Sequence, residues 1–241
     1  MANLLIEIGN TALKASWSEG MTLGKIFRYQ GEKMLEYVHS LVRDSRPEVM
    51  VISSSIAITD KEEAYLSSMC GHLVLMDPGR TSVQKAFSLP EYLSPDRTAS
   101  VIATRFLFKG RGCLIFDFGT MISVDIIEPD GEYVGGNISL GLRTRFKAVN
   151  RYSRNLPLVD NPDTIMQAGT SVRSSIESGV VSGIMFEIQG YVSLFPEKQI
   201  VFTGGDSLYF VKRMKNSIFA VCNLVLMGLA LISKEYAEKI N

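Results

Sequence analysis

The chain is poor in the residues from which catalytic relays and metal centres are built. It carries only two histidines, His39 and His72, and they stand apart. A His-based metal site or a Ser-His-Asp relay therefore has almost nothing to draw on. Its three cysteines, Cys70, Cys113 and Cys222, are widely separated and show no CxxC spacing. That pattern gives no support to a disulfide scaffold or a zinc site, and the three read as small buried hydrophobes in a reducing cytoplasm. Neither sign of charge is in excess, since 25 Lys and Arg balance 25 Asp and Glu. The balance removes the bulk electrostatic argument for nucleic acid or an anionic membrane surface. No basic region precedes the first apolar run, so no signal peptide is expected. The longest apolar stretch, Ile218 to Ile232, falls short of the roughly 20 residues that span a bilayer. With Asn223 inside it, the stretch reads as a buried C-terminal helix, in which Gly228 would allow close packing.

What is present is a large apolar fraction, 46% of 241 residues, enough for one big domain or two small ones. Residues 3–9 and 11–17 read as strands around the turn Gly9-Asn10-Thr11. A helix over 35–44, a strand over 47–55, a helix near 61–69 and a strand ending at Asp77 follow. The chain is irregular from Pro78 to Pro95. A helix then begins at Asp96, a plausible cap. Further strands, a basic helix over 142–150, a helix over 170–192, the strand "QIVFTGGDS" and the last helix complete the pass. Strands alternate with helices, which predicts an α/β protein with antiparallel pairing at two hairpins.

An internal echo organises this pattern. "LLIEIGNT" (Leu4 to Thr11) resembles "CLIFDFGT" (Cys113 to Thr120): an apolar strand, an acid, one residue, a glycine and a nearby hydroxyl. Glu7 matches Asp117 and Gly9 matches Gly119. The reading is two related halves, 1–110 and 111–241, facing each other across a cleft. Such turns suit phosphoryl transfer, which asks a protein for positioning and neutralised charge more than for covalent chemistry. A glycine lets backbone N–H groups approach phosphate oxygens, and a strand-tip carboxylate holds a hard cation. Lys14 could reach a phosphate or pair with an acid. A third turn, Thr203-Gly204-Gly205-Asp206, could bound a nucleotide pocket.

The order of these motifs resembles type III pantothenate kinase, the Bvg accessory factor family. "EIGNTALK" (Glu7 to Lys14) resembles D-x-G-N-T-x-x-K, "SPDR" (Ser94 to Arg97) resembles G-x-D-R, and "DFGTMISVD" (Asp117 to Asp125) resembles D-x-G-T-A-x-T-x-D. "GEYVGGNISLG", "SIESGVVSGI", "FTGGD" and "LVLMGL" are similar to later segments. The resemblance implies a duplicated ribonuclease-H-like fold of the actin and sugar-kinase superfamily. It also implies a cytoplasmic homodimer that phosphorylates pantothenate with ATP, Mg²⁺ and a monovalent cation, K⁺ or NH₄⁺, in the first step of coenzyme A synthesis. By carry-over, Glu7, Ile8, Gly9, Asn10, Thr11, Ala12, Leu13 and Lys14, with Gly119 and Thr120, bind ATP phosphates. Asp96 is the proton acceptor, and Asp117 carries the monovalent cation. Phe87, Ser94, Pro95, Arg97 and Val172 line the pantothenate site, with Arg97 suited to the carboxylate as a guanidinium fork.

Several positions depart from the pattern. Glu7 stands for Asp, Ser94-Pro95 for Gly-x, Phe87 for Tyr, Val172 for Thr, Leu140 for Pro and Ser123 for Thr. Phe87 and Val172 make the substrate site more apolar, with Thr170 and Ser171 adjacent as substitutes. Two other readings follow from these departures: a weak or inactive paralogue that binds nucleotide or a partner in a regulatory role, and a kinase acting on another small hydroxyl compound. The basic segment Leu142 to Arg154, with Phe146 and Tyr152 interleaved, reads as an amphipathic helix with a solvated basic face and aromatic core contacts.

Overall fold

The computed structural model describes residues 2–240. The first unit starts with three antiparallel strands, β1 (Asn3–Ile8), β2 (Leu13–Glu19) and β3 (Thr22–Tyr29). Helix α1 (Met34–Val42) leads to β4 (Val49–Ser54), helix α2 (Asp60–Ser68) to β5 (His72–Met76), and both strands run parallel to β1. The sheet order is β3-β2-β1-β4-β5. The sequence Thr59-x-x-Glu62 closes a capping box at the start of α2. Short helix α3 (Ser82–Ala86) and helix α4 (Pro95–Leu107) follow. Strands β1 and β4 are buried nearly throughout, as strands covered on both faces are. One face meets Val38 and Val42 of α1, Leu66 of α2 and Met69 just after it.

The second unit repeats the plan. Antiparallel β6 (Cys113–Phe118), β7 (Met121–Ile127) and β8 (Tyr133–Leu140) lead into α5 (Leu142–Tyr152) and α6 (Val172–Leu194). Strand β9 (Gln199–Thr203) runs parallel to β6, short α7 (Ser207–Val211) follows, and β10 (Ile218–Ala220) runs parallel to β9. The order β8-β7-β6-β9-β10 matches β3-β2-β1-β4-β5 strand for strand, in direction as well as position. The echo between Glu7 and Asp117 is therefore a duplication of topology, as the α/β reading with two hairpins anticipates. The core of this unit is aromatic, with Phe116, Phe118, Phe202 and Phe210 fully buried, and the Phe118 ring centroid is 4.8 Å from Phe202 and 4.9 Å from Phe210.

The structure corrects three expectations. The expected division at 110/111 gives way to Met1–Leu107 with Asn223–Asn241 as one unit and Phe108–Cys222 as the other. The last helix, α8 (Leu224–Ile240), returns to the first unit and packs on α4, β1 and β4. Gly228 permits this: a Cβ there would lie 2.0 Å from the Ala99 carbonyl oxygen. Second, the apolar run from Ile218 is not one helix. Its first three residues form β10, because pairing with β9 satisfies their backbone before α8 begins at Leu224. Third, β3 falls in a stretch that the sequence left unassigned, and α3 in the stretch expected to be irregular. Strand β3 is a half-exposed edge with no apolar alternation to reveal it.

Candidate active site

In the first unit, the β1–β2 register places Glu7 directly across from Lys14. Their side chains pair, with Lys14 Nζ 3.1 Å from Glu7 Oε2, so the lysine of the motif is held by the acid of the motif. The turn is closed by the Gly9 amide donating to the Ala12 carbonyl at 3.1 Å. It is tied to the next strand by the Ser55 amide donating to the Ile8 carbonyl at 2.8 Å. Asn10 and Thr11 are exposed at the tip. Ile8 and Leu13, by contrast, belong to the core at 3% and 0% exposure. These two can offer a ligand only their backbone.

Helix α4 presents the second set. Pro95 takes its first position, where a missing N–H costs no intrahelical bond. The Thr98 amide donates to the Ser94 carbonyl at 2.9 Å, so Ser94 precedes the helix. Asp96 lies inside the first turn and is not the cap that the sequence suggests. Asp96 is half-buried and Arg97 is 7% exposed. The segment leading to them is pinned in several places. The buried Gln84 donates from Nε2 to the Leu93 carbonyl at 3.0 Å, just before Ser94. Arg105 Nη1 donates to the Phe87 carbonyl at 2.8 Å, and the next residue, Ser88, has φ of 51°. The half-buried Phe87 is thus fixed by its backbone.

Sequence reading missed the anchor of this segment, although the signal was there. Asp77-Pro78-Gly79 follows β5 with the same acid-x-glycine pattern as Glu7-Ile8-Gly9 and Asp117-Phe118-Gly119. Asp77 is buried and accepts from the Ile58 and Gly79 amides at 2.9 Å each. Arg80 bonds to Asp77 and to Glu63, which joins the segment to α2.

In the second unit, the Gly119 amide donates to the Met121 carbonyl at 3.0 Å, and Gly119 and Thr120 are exposed. Two other glycines close on this turn. A Cβ at Gly141 would sit 2.0 Å from the Gly119 carbonyl oxygen. Gly204 has φ of 91°, and a Cβ there would meet Asp117 Oδ1 at 2.4 Å. Register sets Ser123 and Thr203 beside Asp117 on the two neighbouring strands. A carboxylate flanked by hydroxyls is an all-oxygen donor set, which suits a hard cation. Among the described residues there is no group of three or more His, Cys, Asp and Glu able to hold a metal ion. Asp206, expected at the third turn, donates its amide to the Phe118 carbonyl at 3.1 Å. Burial pushes the Asp206 carboxyl up, and the charge of Arg143 offsets part of that rise.

Other expected residues are placed differently from one another. Val172 is exposed at the first turn of α6. Ser171 caps that helix, and Ser174 holds the Thr170 amide, so the neighbouring polar groups are engaged locally. The basic helix α5 buries Phe146 but leaves Tyr152 85% exposed, so one of the two expected aromatic contacts forms. Its Arg145 is engaged by the protein and only partly exposed: it donates to the Leu140 carbonyl at 2.8 Å and pairs with Glu187 of α6. Cys70 and Cys113 are buried as expected, and burial pushes the Cys113 thiol up to about 11, whereas Cys222 is exposed. No helix among the described residues is long and apolar enough to cross a membrane.

Comparison with known proteins agrees with this arrangement. Among solved structures, a Baf family transcriptional activator from Campylobacter jejuni superposes with a TM-score of 0.65 at 19% identity, covering 98% of this chain and 99% of its own. An activator of 2-hydroxyisocaproyl-CoA dehydratase from Clostridium difficile, solved with bound ADPNP, gives 0.60 at 11% identity over 100% and 97%. These likenesses, with that to an ROK hexokinase from Thermus thermophilus (TM-score 0.57 at 13% identity, covering 98% of this chain and 100% of that one), show the fold alone. The sequence is 33% identical over 232 residues to a type III pantothenate kinase of Phocaeicola vulgatus, covering 94% of this chain and 96% of that one. It is 35% identical over 235 residues to another from Christiangramia forsetii, covering 95% and 97%. The family description "Type III pantothenate kinase" matches residues 3–194, a span that holds both acid-glycine hairpins and the Asp96-Arg97 turn. With that coverage and that order of motifs on this fold, the chain belongs to the type III pantothenate kinase family.

Proposed function

We propose that the protein transfers the γ-phosphoryl group of ATP to the primary hydroxyl of pantothenate, giving 4′-phosphopantothenate and ADP. The observation that carries this reading is Asp96 and Arg97 together at the first turn of α4, behind a pinned loop, in a chain of this family. Asp96 accepts the hydroxyl proton late in a loose transition state, and the pantothenate oxygen forms its bond to phosphorus as the bond to ADP breaks. Arg97 engages the pantothenate carboxylate. The turns at Gly9 and Gly119 supply N–H groups to phosphate oxygens, aided by Asn10, Thr11 and Thr120. Mg²⁺ neutralises charge on the phosphates when bound. Asp117, with Ser123 and Thr203 beside it, is suited to a monovalent cation.

The same reading includes a cytoplasmic homodimer. Edge strand β8 supports the dimer: Ile138 and Leu140 share one face and are 57% and 40% exposed, and Val134, at the register shift of the same strand, is 54% exposed. An apolar edge of this kind is a surface that a second copy would cover. Light scattering after gel filtration tests the dimer, and a monomeric mass would remove that part.

The test of the reaction is ADP release by purified protein with Mg²⁺ and K⁺, with and without pantothenate. Pantothenate-dependent release establishes the kinase. ATP binding by calorimetry without release moves the function to the weak or regulatory paralogue. Release that depends on another small alcohol moves it to a different acceptor.

A further inference from the structure

The basic helix α5 has a task that its charge pattern does not reveal. The carbonyl oxygen of Thr120 accepts two hydrogen bonds from the start of this helix, one from the Gly141 amide at 3.0 Å and one from Thr144 Oγ1 at 2.7 Å. The neighbouring Gly119 carbonyl lies so close to Gly141 that any side chain there would collide with it. Both carbonyls of the turn are therefore held against α5. In a trans peptide the N–H points opposite to the C=O, so the Thr120 and Met121 N–H groups are turned away from the helix. Thr144 is the third residue of α5, too late to cap it, and its hydroxyl serves another element instead. Arg145 fixes the corner ahead of it, donating from Nε to the Leu140 carbonyl at 2.8 Å and from Nη2 to Ser139 Oγ at 3.2 Å. Glu187 of α6 accepts from both Arg145 and Ser139, so the corner is braced from a third element.

We propose that Thr144 is a positioning residue for nucleotide binding: its hydroxyl fixes the Thr120 carbonyl, and through it the phosphate-facing edge of the Gly119-Thr120 turn. The inference rests on the reading of that turn as an ATP contact. Thr144→Val keeps the shape of the side chain and removes the donor, and Thr144→Ser keeps the donor. The expected result is a rise of about tenfold in the KM for ATP with Thr144→Val, the factor that one lost hydrogen bond supports. The KM for pantothenate stays within about twofold, and Thr144→Ser restores the ATP value. A general loosening of the fold would move both KM values and would not be rescued by serine. Equal ATP values in wild type and Thr144→Val, or a parallel rise for both substrates, overturns the proposal. If wild type does not turn over pantothenate, calorimetry with a non-hydrolysable ATP analogue decides separately. Weaker binding by Thr144→Val than by Thr144→Ser supports the positioning role without the kinase reading. Equal binding, or none by wild type, overturns it. If Thr144→Val does not fold by circular dichroism, Thr144→Ala replaces it in the same comparison.

Discussion

Replacing Gly228 by alanine pits two physical effects of opposite sign against each other. In an isolated helix the change stabilises by about 1 kcal/mol, because glycine is the poorer helix former. In this protein the new Cβ would lie 2.0 Å from the Ala99 carbonyl oxygen, 2.5 Å from its carbon and 2.8 Å from its Cα. All three are backbone atoms of α4, so no side-chain rotation relieves the overlap. Ordinary contact requires α4 and α8 to separate by about 1.4 Å locally. Overpacking of a close-packed interior costs about 1–3 kcal/mol, and a backbone obstacle belongs at the upper end. The net expectation is destabilisation by about 2 kcal/mol, read as a lowered urea midpoint with unchanged slope. The functional consequence is larger. Asp96 and Arg97 precede Ala99 on the same helix, and a misplacement of about 1 Å in a reacting group costs on the order of a hundredfold in rate. Gly228→Ala should therefore lower kcat/KM about a hundredfold while the remaining protein is folded. A variant as stable as wild type or more so would refute the reasoning, since helix propensity would then outweigh a contact that does not exist.

Asp96→Asn, which removes the proposed proton acceptor but keeps the helix start, should cut turnover by about 10²–10⁴-fold with stability nearly unchanged, and intact turnover would end the general-base assignment. Asp206 has a carboxyl raised above 3.8 by burial, so its stabilising contribution is fully present below that pH and is lost as pH rises through the higher folded value. Asp206→Asn cannot ionise and should gain stability relative to wild type from pH 4 to pH 7 in urea titrations; an advantage that shrinks with pH contradicts this. Burial holds the Cys70 and Cys113 thiols above their usual range while Cys222 is exposed, so alkylation of the native protein at pH 8 should label Cys222 alone. Mass spectrometry of the labelled peptides checks the assignment, and rapid labelling of Cys113 would sink it.

The sequence by itself determined the parts of this protein that are written locally. An apolar strand ending in an acid, one residue and a glycine forms its turn from its own backbone, so the hairpins at Gly9 and Gly119 and their repetition are legible without a structure. The class follows from the same alternation, and the family from the order of the motifs. The existence of α4 is equally local, since an aspartate ahead of an apolar-periodic run announces a helix, although the folded chain starts it one residue earlier, at Pro95. The tertiary structure decided whatever depends on a partner distant in the chain. The apolar residues Ile218–Ala220 look helical until β9 lies beside them and offers a ladder. Helix α8 could pack on either unit as far as its composition goes, and the fit of Gly228 on Ala99 places it with the first. Arg145 reads as part of a solvated face until Leu140 and Glu187 engage it, and Asp77 reads only as the end of a strand until Ile58 and Arg80 close on it. The reason is one of range: backbone geometry and hydrophobic period act over a few residues and can be read from them, whereas close packing and side-chain pairing are set by whichever distant atoms the folded chain brings within a few ångströms.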